Sequence, residues 1–387
     1  MRVQFVIGNV VDYQVPRYRA LAKLASSRGH DVSLVEIYDR SGTYGYPQSN
    51  RAKFFEEDAY DSITLFKNSA AGGPHWLAVI ARLRAVIRTT RPDIVITMGY
   101  NTGYSIYLCL ARTLGRRFKI IYMSDSKADD GKRHWLKEAL KRLLVSRFDG
   151  ALVAGEKHRR YAQSLGIPLH RSRIGFDVID VDYFHEAARR TLACAPVERL
   201  RFGLPQRYVL CVSRFVERKN VLVVVEAFAR STLPKQGISL VLVGQGPLEQ
   251  AIRDKISVLN LHEHVVILHE VLNRDMPALY ALADFIVLAS AFDQWGLCVN
   301  EAMAAGRPAI VSVTCGCANE LVHDGHNGFI VQPGHVDGLA EKMSRLGEDE
   351  TLRARFAANS ASMIRNWTPK LFAVNALALA NVVQGTP

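Results

Sequence analysis

Residues 284–312 read DFIVLASAFDQWGLCVNEAMAAGRPAIVS, and their order decides the fold. DFIVLA (284–289) is a short apolar run with a single charge at its start, as expected of a strand buried on both faces. A polar loop follows, then a helical stretch near 297–305. After the break at Gly306–Pro308, the run PAIVS (308–312) starts a second strand. Strand, loop, helix and strand in that order make a βαβ unit, which requires a parallel sheet. The same rhythm extends outward in both directions. Strands are expected near 207–213, 238–243 and 264–268, with helices near 219–230, 247–258, 275–283 and 335–346. The first half has its own series. Strands fall near 2–7, 31–35, 62–66, 93–97, 118–123 and 149–153, and helices near 17–28, 75–90, 103–114, 131–148 and 155–166. Between the two series, residues 186–206 (EAARRTLACAPVERLRFGLPQ) lose the strand pattern and carry two prolines. The expected fold is α/β, with two doubly wound Rossmann-like domains facing a cleft lined by strand carboxyl ends. Their expected extents are 1–185 and 207–368, joined by a linker at 186–206. Residues 349–366 read as helix, and 369–387 as a final helix returning to the first domain.

Length and composition suit this reading. The chain has 387 residues, 49% apolar and 22% charged, which excludes disorder, collagen and coiled coil. No apolar run reaches the ~18 residues of a membrane span. The opening MRVQFVIGNVVDYQVPRYRA lacks a signal-peptide pattern, so a cytoplasmic location is expected. Six scattered cysteines read as buried free thiols in a reducing compartment. Cys315-x-Cys317 has no second pair to complete a zinc site, and separately no bound cofactor is expected. The charge is uneven. Residues 1–185 hold 29 basic and 18 acidic side chains, 29 − 18 = +11, and the remaining residues hold 20 and 19, 20 − 19 = +1. That asymmetry points to an anionic partner of the first half, the plain alternative being a generally basic proteome.

Three segments of the second half carry chemistry. In YVLCVSRFVERKN (208–220), Arg214 and Lys219 follow a strand and precede a helix. Two cations there, with a helix N-terminus, suit a diphosphate, although basic residues after a strand are more often merely solvated. In SLVLVGQGPLE (239–249), Gly244-Gln245-Gly246-Pro247 opens like a dinucleotide fingerprint, but Glu249 stands where the third glycine belongs. A tight turn with Pro at the first helical position explains it equally well. In 290–312, Asp293 precedes the helix that begins near Gly296, and Glu301 lies on it. Carboxylates so placed can each accept sugar hydroxyls or form an acid/base pair. The plain alternative is a capping Asp and a surface Glu.

The ordered set R-x4-K, LVGxGP and D-x7-E followed by AMAAGRP resembles the family-four glycosyltransferases, retaining nucleotide-sugar enzymes of GT-B fold. The likeness continues through Gly316 to Glu320 and HDGHNGFIVQPG (323–334), and more loosely through RGHDVSLVE (28–36) and IGFDVIDVDYF (174–184). It implies an acceptor-side first domain and a second domain that binds the nucleotide-sugar. Arg214 and Lys219 would grip the donor diphosphate. Glu301 would hold the ribose, and Asp293 the sugar hydroxyls. The backbone of Gln294, Trp295, Gly296 and Leu297 would support sugar and phosphate, beside the Gly244 turn, and Glu270, Val271 and Leu272 would receive the base. Gly8 and Asn9 occupy the place of the loop that faces the phosphates. This sequence departs from the family at three points: Asp293 replaces the usual Glu, Gly316-Cys317 replaces Gly-Gly, and Ser124-Asp125 replaces His-Asp. Asp125 is then the candidate nearest the anomeric carbon. The implied reaction is metal-independent hexosyl transfer, from a UDP-sugar or GDP-mannose, to a hydroxyl acceptor in polysaccharide or glycolipid synthesis.

Residues 131–148 (GKRHWLKEALKRLLVSRF) place Trp135, Leu136, Ala139, Leu140, Leu143 and Leu144 on one helical stripe, flanked by six cations with only Glu138 opposing. Two readings stand. One is a core helix with a solvated face. The other is a helix lying on an anionic membrane, near a lipid-linked acceptor. Two rival functions also remain: a nucleotide-sugar epimerase or phosphorylase on the same fold, and an anionic-surface or nucleic-acid binder. Nucleic acid is disfavoured because the motifs lie in the nearly neutral half.

Overall fold

The structure is a computed structural model describing residues 1–40, 61–70, 73–115, 117–131, 133–269 and 271–385. The chain forms two compact units, residues 1–179 with 368–387, and residues 180–367.

In the first unit the order is β1 (Arg2–Ile7), α1 (Val15–Ser26), β2 (Asp31–Arg40), β3 (Asp61–Ala70), α2 (Trp76–Thr90), β4 (Ile94–Met98), α3 (Gly103–Thr113), β5 (Lys119–Ser124), α4 (Trp135–Val145), β6 (Gly150–Val153), α5 (Glu156–Ser164) and β7 (Ser172–Arg173). The described strands form one sheet in the order β3-β2-β1-β4-β5-β6-β7, and every pairing is parallel. The order reverses between β1 and β4, the switch point where doubly wound sheets bind ligands. Val79, Leu83 and Ile87 of α2 recur at helical spacing and pack with Val6, Val35, Val95 and Ile120 in one core.

The second unit runs α6 (Val181–Ala193), α7 (Ala195–Phe202), β8 (Tyr208–Val212), α8 (Val221–Arg230), β9 (Ser239–Val243), α9 (Glu249–Val258), β10 (Val265–Leu268), α10 (Met276–Leu282), β11 (Phe285–Leu288), α11 (Leu297–Ala304), β12 (Ala309–Ser312), β13 (Gly328–Val331), α12 (Val336–Glu348) and α13 (Glu350–Ile364). Its sheet is also parallel, in the order β10-β9-β8-β11-β12-β13, with the switch between β8 and β11. Strand residues here are almost all buried, because helices cover both faces.

Two expectations need correction. The 186–206 segment is not a linker; it is the end of α6 and all of α7, within the second unit. Asp180 caps α6 by accepting the Tyr183 N–H at 3.0 Å. Val181, Phe184 and Ala188 bury one face, and Phe184 meets Tyr280 of α10 at 6.3 Å. The strand pattern vanished because the segment is helical, so the unit boundary falls at 179/180. The motif HDGHNGFIVQPG also hides a strand, β13, beside β12. Gly328 is required there, since a Cβ would stand 2.2 Å from the Ala309 carbonyl.

The last helix, α14 (Pro369–Gln384), belongs to the first unit. Phe372 packs edge-on to Tyr18 of α1 at 5.8 Å, and Tyr18 edge-on to Phe5 of β1 at 5.3 Å. Leu379 and Val383 approach β6 so closely that only Gly150 fits beneath them.

Candidate functional site

In the second unit, the carboxyl ends of β8 and β11 feed two loops that are tied together. The Ala291 N–H donates to the Arg218 carbonyl at 2.8 Å, and Asn220 Nδ2 to the Ala289 carbonyl at 3.1 Å. Asn220 adopts the left-handed conformation (φ 52°) to start α8. These ties bring Lys219 onto Asp293, 74 residues later, in a direct ion pair, with Ser290 Oγ 3.4 Å from the same carboxylate oxygen. Both side chains are little exposed, 13% and 12%. Asp293 is further fixed by its backbone, whose carbonyl accepts the Gly316 N–H at 3.0 Å.

Gly244 and Gly246 bring a third loop against Ser213 and Phe215 of the loop after β8. Their φ values are +149° and +156°; a Cβ at Gly244 would lie 1.9 Å from the Ser213 carbonyl oxygen, and one at Gly246 2.5 Å from that of Phe215. The Phe215 N–H donates to Gln245, and the Leu248 N–H to Phe215, closing the turn. Arg214, Glu217, Arg218, Pro247 and Leu248 line an open pocket over these loops. The glycine spacing therefore serves backbone contact between loops, which explains why a third glycine is not needed.

Gly296 lies at φ +104°, and a Cβ there would strike Leu288 at 2.6 Å and near Cys317 Sγ at 3.3 Å. The chain can then turn into α11, whose first-turn N–H groups have no partner within the helix. Trp295 is buried, stacked on Trp367 at 5.5 Å, and its indole N–H donates to Asn300. Its carbonyl accepts the Cys317 N–H. The Trp295 side chain and Cys317 thus serve as the floor under Gly296, and the Gly316-Cys317 departure fills that floor with a thiol.

On α11, Glu301 accepts a 2.6 Å hydrogen bond from the Tyr280 hydroxyl. Burial pushes its carboxyl up to about 7, an effect the Tyr280 hydrogen bond partly offsets. One turn earlier, the Cys298 thiol is held well above its usual range, first by burial and then by the charges of Asp293 and Glu301. Lys219, Asp293, Cys298 and Glu301 therefore share one charged neighbourhood at the switch point. Val271 and Leu272 are partly buried after β10, along the same sheet edge; Glu270 lies outside the described residues. The sequence reading missed Tyr280 and Cys298. Cys298 stands three residues before Glu301, a spacing that puts it on the same helix face.

In the first unit, Gly8 and Asn9 follow β1 at the switch point. Buried Glu36 holds this loop by accepting the Val10 N–H at 2.7 Å, and Thr64 donates to its other oxygen. Asn9 Nδ2 is buried without an acceptor among the described residues. A Cβ at Gly8 would come no nearer than 3.8 Å, so space alone does not require this glycine. Asp125 follows β5 and begins a stapled loop. Lys127, fully buried, pairs with Asp129 at 2.8 Å and Asp130 at 3.1 Å, and Arg133 donates to the Ala128 carbonyl. Neither Lys127 nor Glu36 was singled out in the sequence. Of the six cysteines, all are free; Cys109, Cys211, Cys315 and Cys317 are buried, Cys298 is partly so, and Cys194 is exposed rather than buried as expected. Among the described residues no group of His, Cys, Asp and Glu is arranged to hold a metal.

Residues 197–363 match the family of glycosyl transferases group 1, and residues 14–174 the glycosyl transferase 4-like domain. N-acetyl-alpha-D-glucosaminyl L-malate synthase of Bacillus anthracis is 31% identical over 345 residues, 86% of this chain and 84% of that protein. Alpha-D-kanosaminyltransferase of Streptomyces kanamyceticus is 28% identical over 242 residues, 62% of this chain but only 60% of its own length. The fold of Anabaena HepE, solved in complex with UDP, superposes with a TM-score of 0.73 at 19% identity, covering 99% of both chains.

Proposed function

This chain belongs to the family-four-like glycosyltransferases of GT-B fold, and from that premise we propose that it moves a hexosyl unit from a nucleotide-sugar to a hydroxyl acceptor, with retention and without a metal. The observation that carries the reading is the Lys219–Asp293 pair, set beside Glu301 at the β8/β11 switch point. When the donor's anomeric C–O bond breaks, negative charge builds on the departing diphosphate. Lys219, Arg214 and the N–H groups opening α11 neutralise that charge without reorganising. The bond from the anomeric carbon to the diphosphate oxygen breaks, a bond to the acceptor oxygen forms, and the acceptor proton passes to the diphosphate. Retention follows if the acceptor enters on the face the diphosphate leaves.

Glu301 takes the ribose hydroxyls, since a carboxylate accepts two donors at once. Asp293 takes sugar hydroxyls with one lone pair while keeping Lys219 in place with another. In the first unit, Asn9 and Gly8 serve the phosphates and Asp125 the anomeric carbon. UDP-sugars are favoured over GDP-mannose, a preference supported by the UDP complex of HepE. The acceptor class is a polysaccharide or glycolipid hydroxyl. Transfer is favoured over epimerisation because the relatives reported above are named for transfer or synthesis. A thermal-shift series with UDP, GDP and ADP tests the donor base, since a ligand bound only to the folded chain raises its Tm. UDP should give the largest rise. Equal rises for all three would remove the base assignment, and epimerisation of a free UDP-sugar without hydrolysis would replace the transferase reading.

A further inference from the structure

The helix α4 is built inside out. Its polar side faces the protein: Glu138 accepts from Lys141 at 2.7 Å and from the Tyr161 hydroxyl of α5 at 2.8 Å, while Arg133 lies over the Tyr161 ring at 4.6 Å. Apart from Val145 and the partly buried Leu144, its apolar residues do not reach the core. Trp135, Leu136, Leu140 and Leu143 instead point to solvent, Trp135 at 74% and Leu140 at 67% exposed. These positions (i, i+1, i+5 and i+8) share one helix face. Lys137 and Arg142 flank that face on either side, and both are exposed. A core helix with a solvated polar face has the opposite orientation, so that reading of residues 131–148 is excluded. Lys132, within the segment, lies outside the described residues.

A second helix repeats the signature. His75-Trp76-Leu77 opens α2 as His134-Trp135-Leu136 opens α4. Trp76 is 62% exposed, and Leu77 beside it is exposed as well. Both helices follow strands of the same parallel sheet, β3 and β5, and pack on the same core. Their N-termini therefore lie on one edge, the carboxyl edge of the sheet, which also carries Gly8 and Asp125.

We propose that this edge docks the first unit on an anionic lipid bilayer, with Trp76 and Trp135 at headgroup depth and the α4 leucines in the acyl boundary. Tryptophan favours that interface because its ring is apolar and its N–H is not. A helix with an apolar face and flanking cations lies in the same plane. The charge agrees, since the first 185 residues carry nearly all of the net +12. The exposed tryptophan and leucine face with exposed Lys137 and Arg142 on either side matches an anionic bilayer in charge as well as in polarity. Among the described residues no helix is long and apolar enough to cross a membrane, so contact is peripheral. The proposal stands on residues outside the donor site and does not depend on the donor reading.

Co-sedimentation with phosphatidylcholine vesicles, with and without phosphatidylglycerol, tests it. Wild-type chain should bind the anionic vesicles at low ionic strength at least tenfold better than neutral ones, with a blue shift of tryptophan emission. Lys137→Glu with Arg142→Glu should weaken that binding by about 25-fold or more, at about fivefold per cation near the surface. Lys141 is left in place, because it holds Glu138 and Tyr161. Trp135→Ser with Leu140→Ser keeps every cation and removes only exposed apolar atoms, so the fold should hold, as far-UV CD and Tm would show. That variant should lose the blue shift and at least about tenfold in binding. Trp76→Ser should give a smaller loss of the same sign. Failure of the wild-type chain to bind anionic vesicles overturns the proposal, as does binding by the Trp135/Leu140 variant equal to wild type. A dimer in sedimentation equilibrium that this variant dissolves would assign the face to a second copy instead.

Discussion

The two units share one topology and use it differently. At the β8/β11 switch point, charge is drawn inward. Lys219 and Asp293 neutralise each other, and Glu301 is held by the Tyr280 hydroxyl. At the β1/β4 switch point, buried Glu36 holds a loop, and Lys137 and Arg142 of α4 lie outside. On the proposed reading one edge recognises a small charged molecule atom by atom and the other presents a broad surface. A parallel sheet supplies the edge; which residues follow each strand decides what the edge does.

The largest expected effect breaks the first half of that comparison. Lys219→Ala removes a cation from the departing diphosphate and leaves Asp293 partly buried without its partner. The kcat/KM for transfer should fall by ~10²–10³-fold. Arg214→Ala, at the more open rim of the pocket, should cost ~10²-fold or less. Retention of near wild-type rates by both variants would take the chemistry away from this switch point.

Next in size is a contrast between glycines. Gly244→Ala forces a Cβ onto the Ser213 carbonyl at a φ that L residues avoid, and should destabilise the second unit by ~3 kcal/mol or more in urea unfolding. Gly8→Ala brings a Cβ no nearer than 3.8 Å to the Tyr104 hydroxyl, an ordinary contact, and should change stability by less than ~0.5 kcal/mol. If Gly8→Ala nevertheless lowers transfer without changing stability, the lost space is the ligand's. Equal stability of both variants would contradict the loop packing.

How much of this was legible follows physical lines. Strands and crossover helices were readable because apolar periodicity is local, and because glycines and prolines punctuate them. Arg214, Lys219, Asp293 and Glu301 were readable as candidates because each follows a strand in a short ordered motif. The pairing of Lys219 with Asp293, and of Glu301 with Tyr280, was not, since each joins chain segments that only the sheet brings together. Residues 181–202 were misread because alanines, Cys194 and Pro196 blur the helical period. The stripe of α4 was seen, but its orientation was not. A helix pattern is the same whichever way its apolar face turns, and only the burial of Glu138 and Lys141 against Tyr161 settles it.

A calorimetric split sharpens the roles of the two carboxylates. Glu301→Gln should weaken free UDP by about tenfold, because a charged hydrogen bond to ribose is lost. Asp293→Asn should spare free UDP and weaken the intact UDP-sugar by a similar factor. The reverse pattern would exchange the two assignments.

The smallest effect is a titration, and its sign is fixed by burial. In the free chain Glu301 is raised from 4.5 to about 7, so the folded state holds its proton more tightly than the unfolded state. Stability from this group is fully present below pH 4.5 and is lost as pH rises through 7. Ribose hydroxyls donating to Glu301 favour the ionised form and lower its pKa, so UDP binding must release a proton wherever the free group is still protonated. With an apparent pKa of about 7, affinity should fall about twofold from pH 8 to 7 and about fivefold more by pH 6. Calorimetry at pH 6.5 in two buffers of different ionisation enthalpy counts the released protons, of which Glu301 should supply about three-quarters of one. Glu301→Gln should lose that share and keep only the small release from the terminal phosphate of UDP, whose second pKa is about 6, and above pH 7 the unliganded variant should be more stable than the wild type, having no buried charge to hold. Proton uptake on UDP binding, or an affinity flat from pH 6 to 8, would mean that ribose does not meet Glu301.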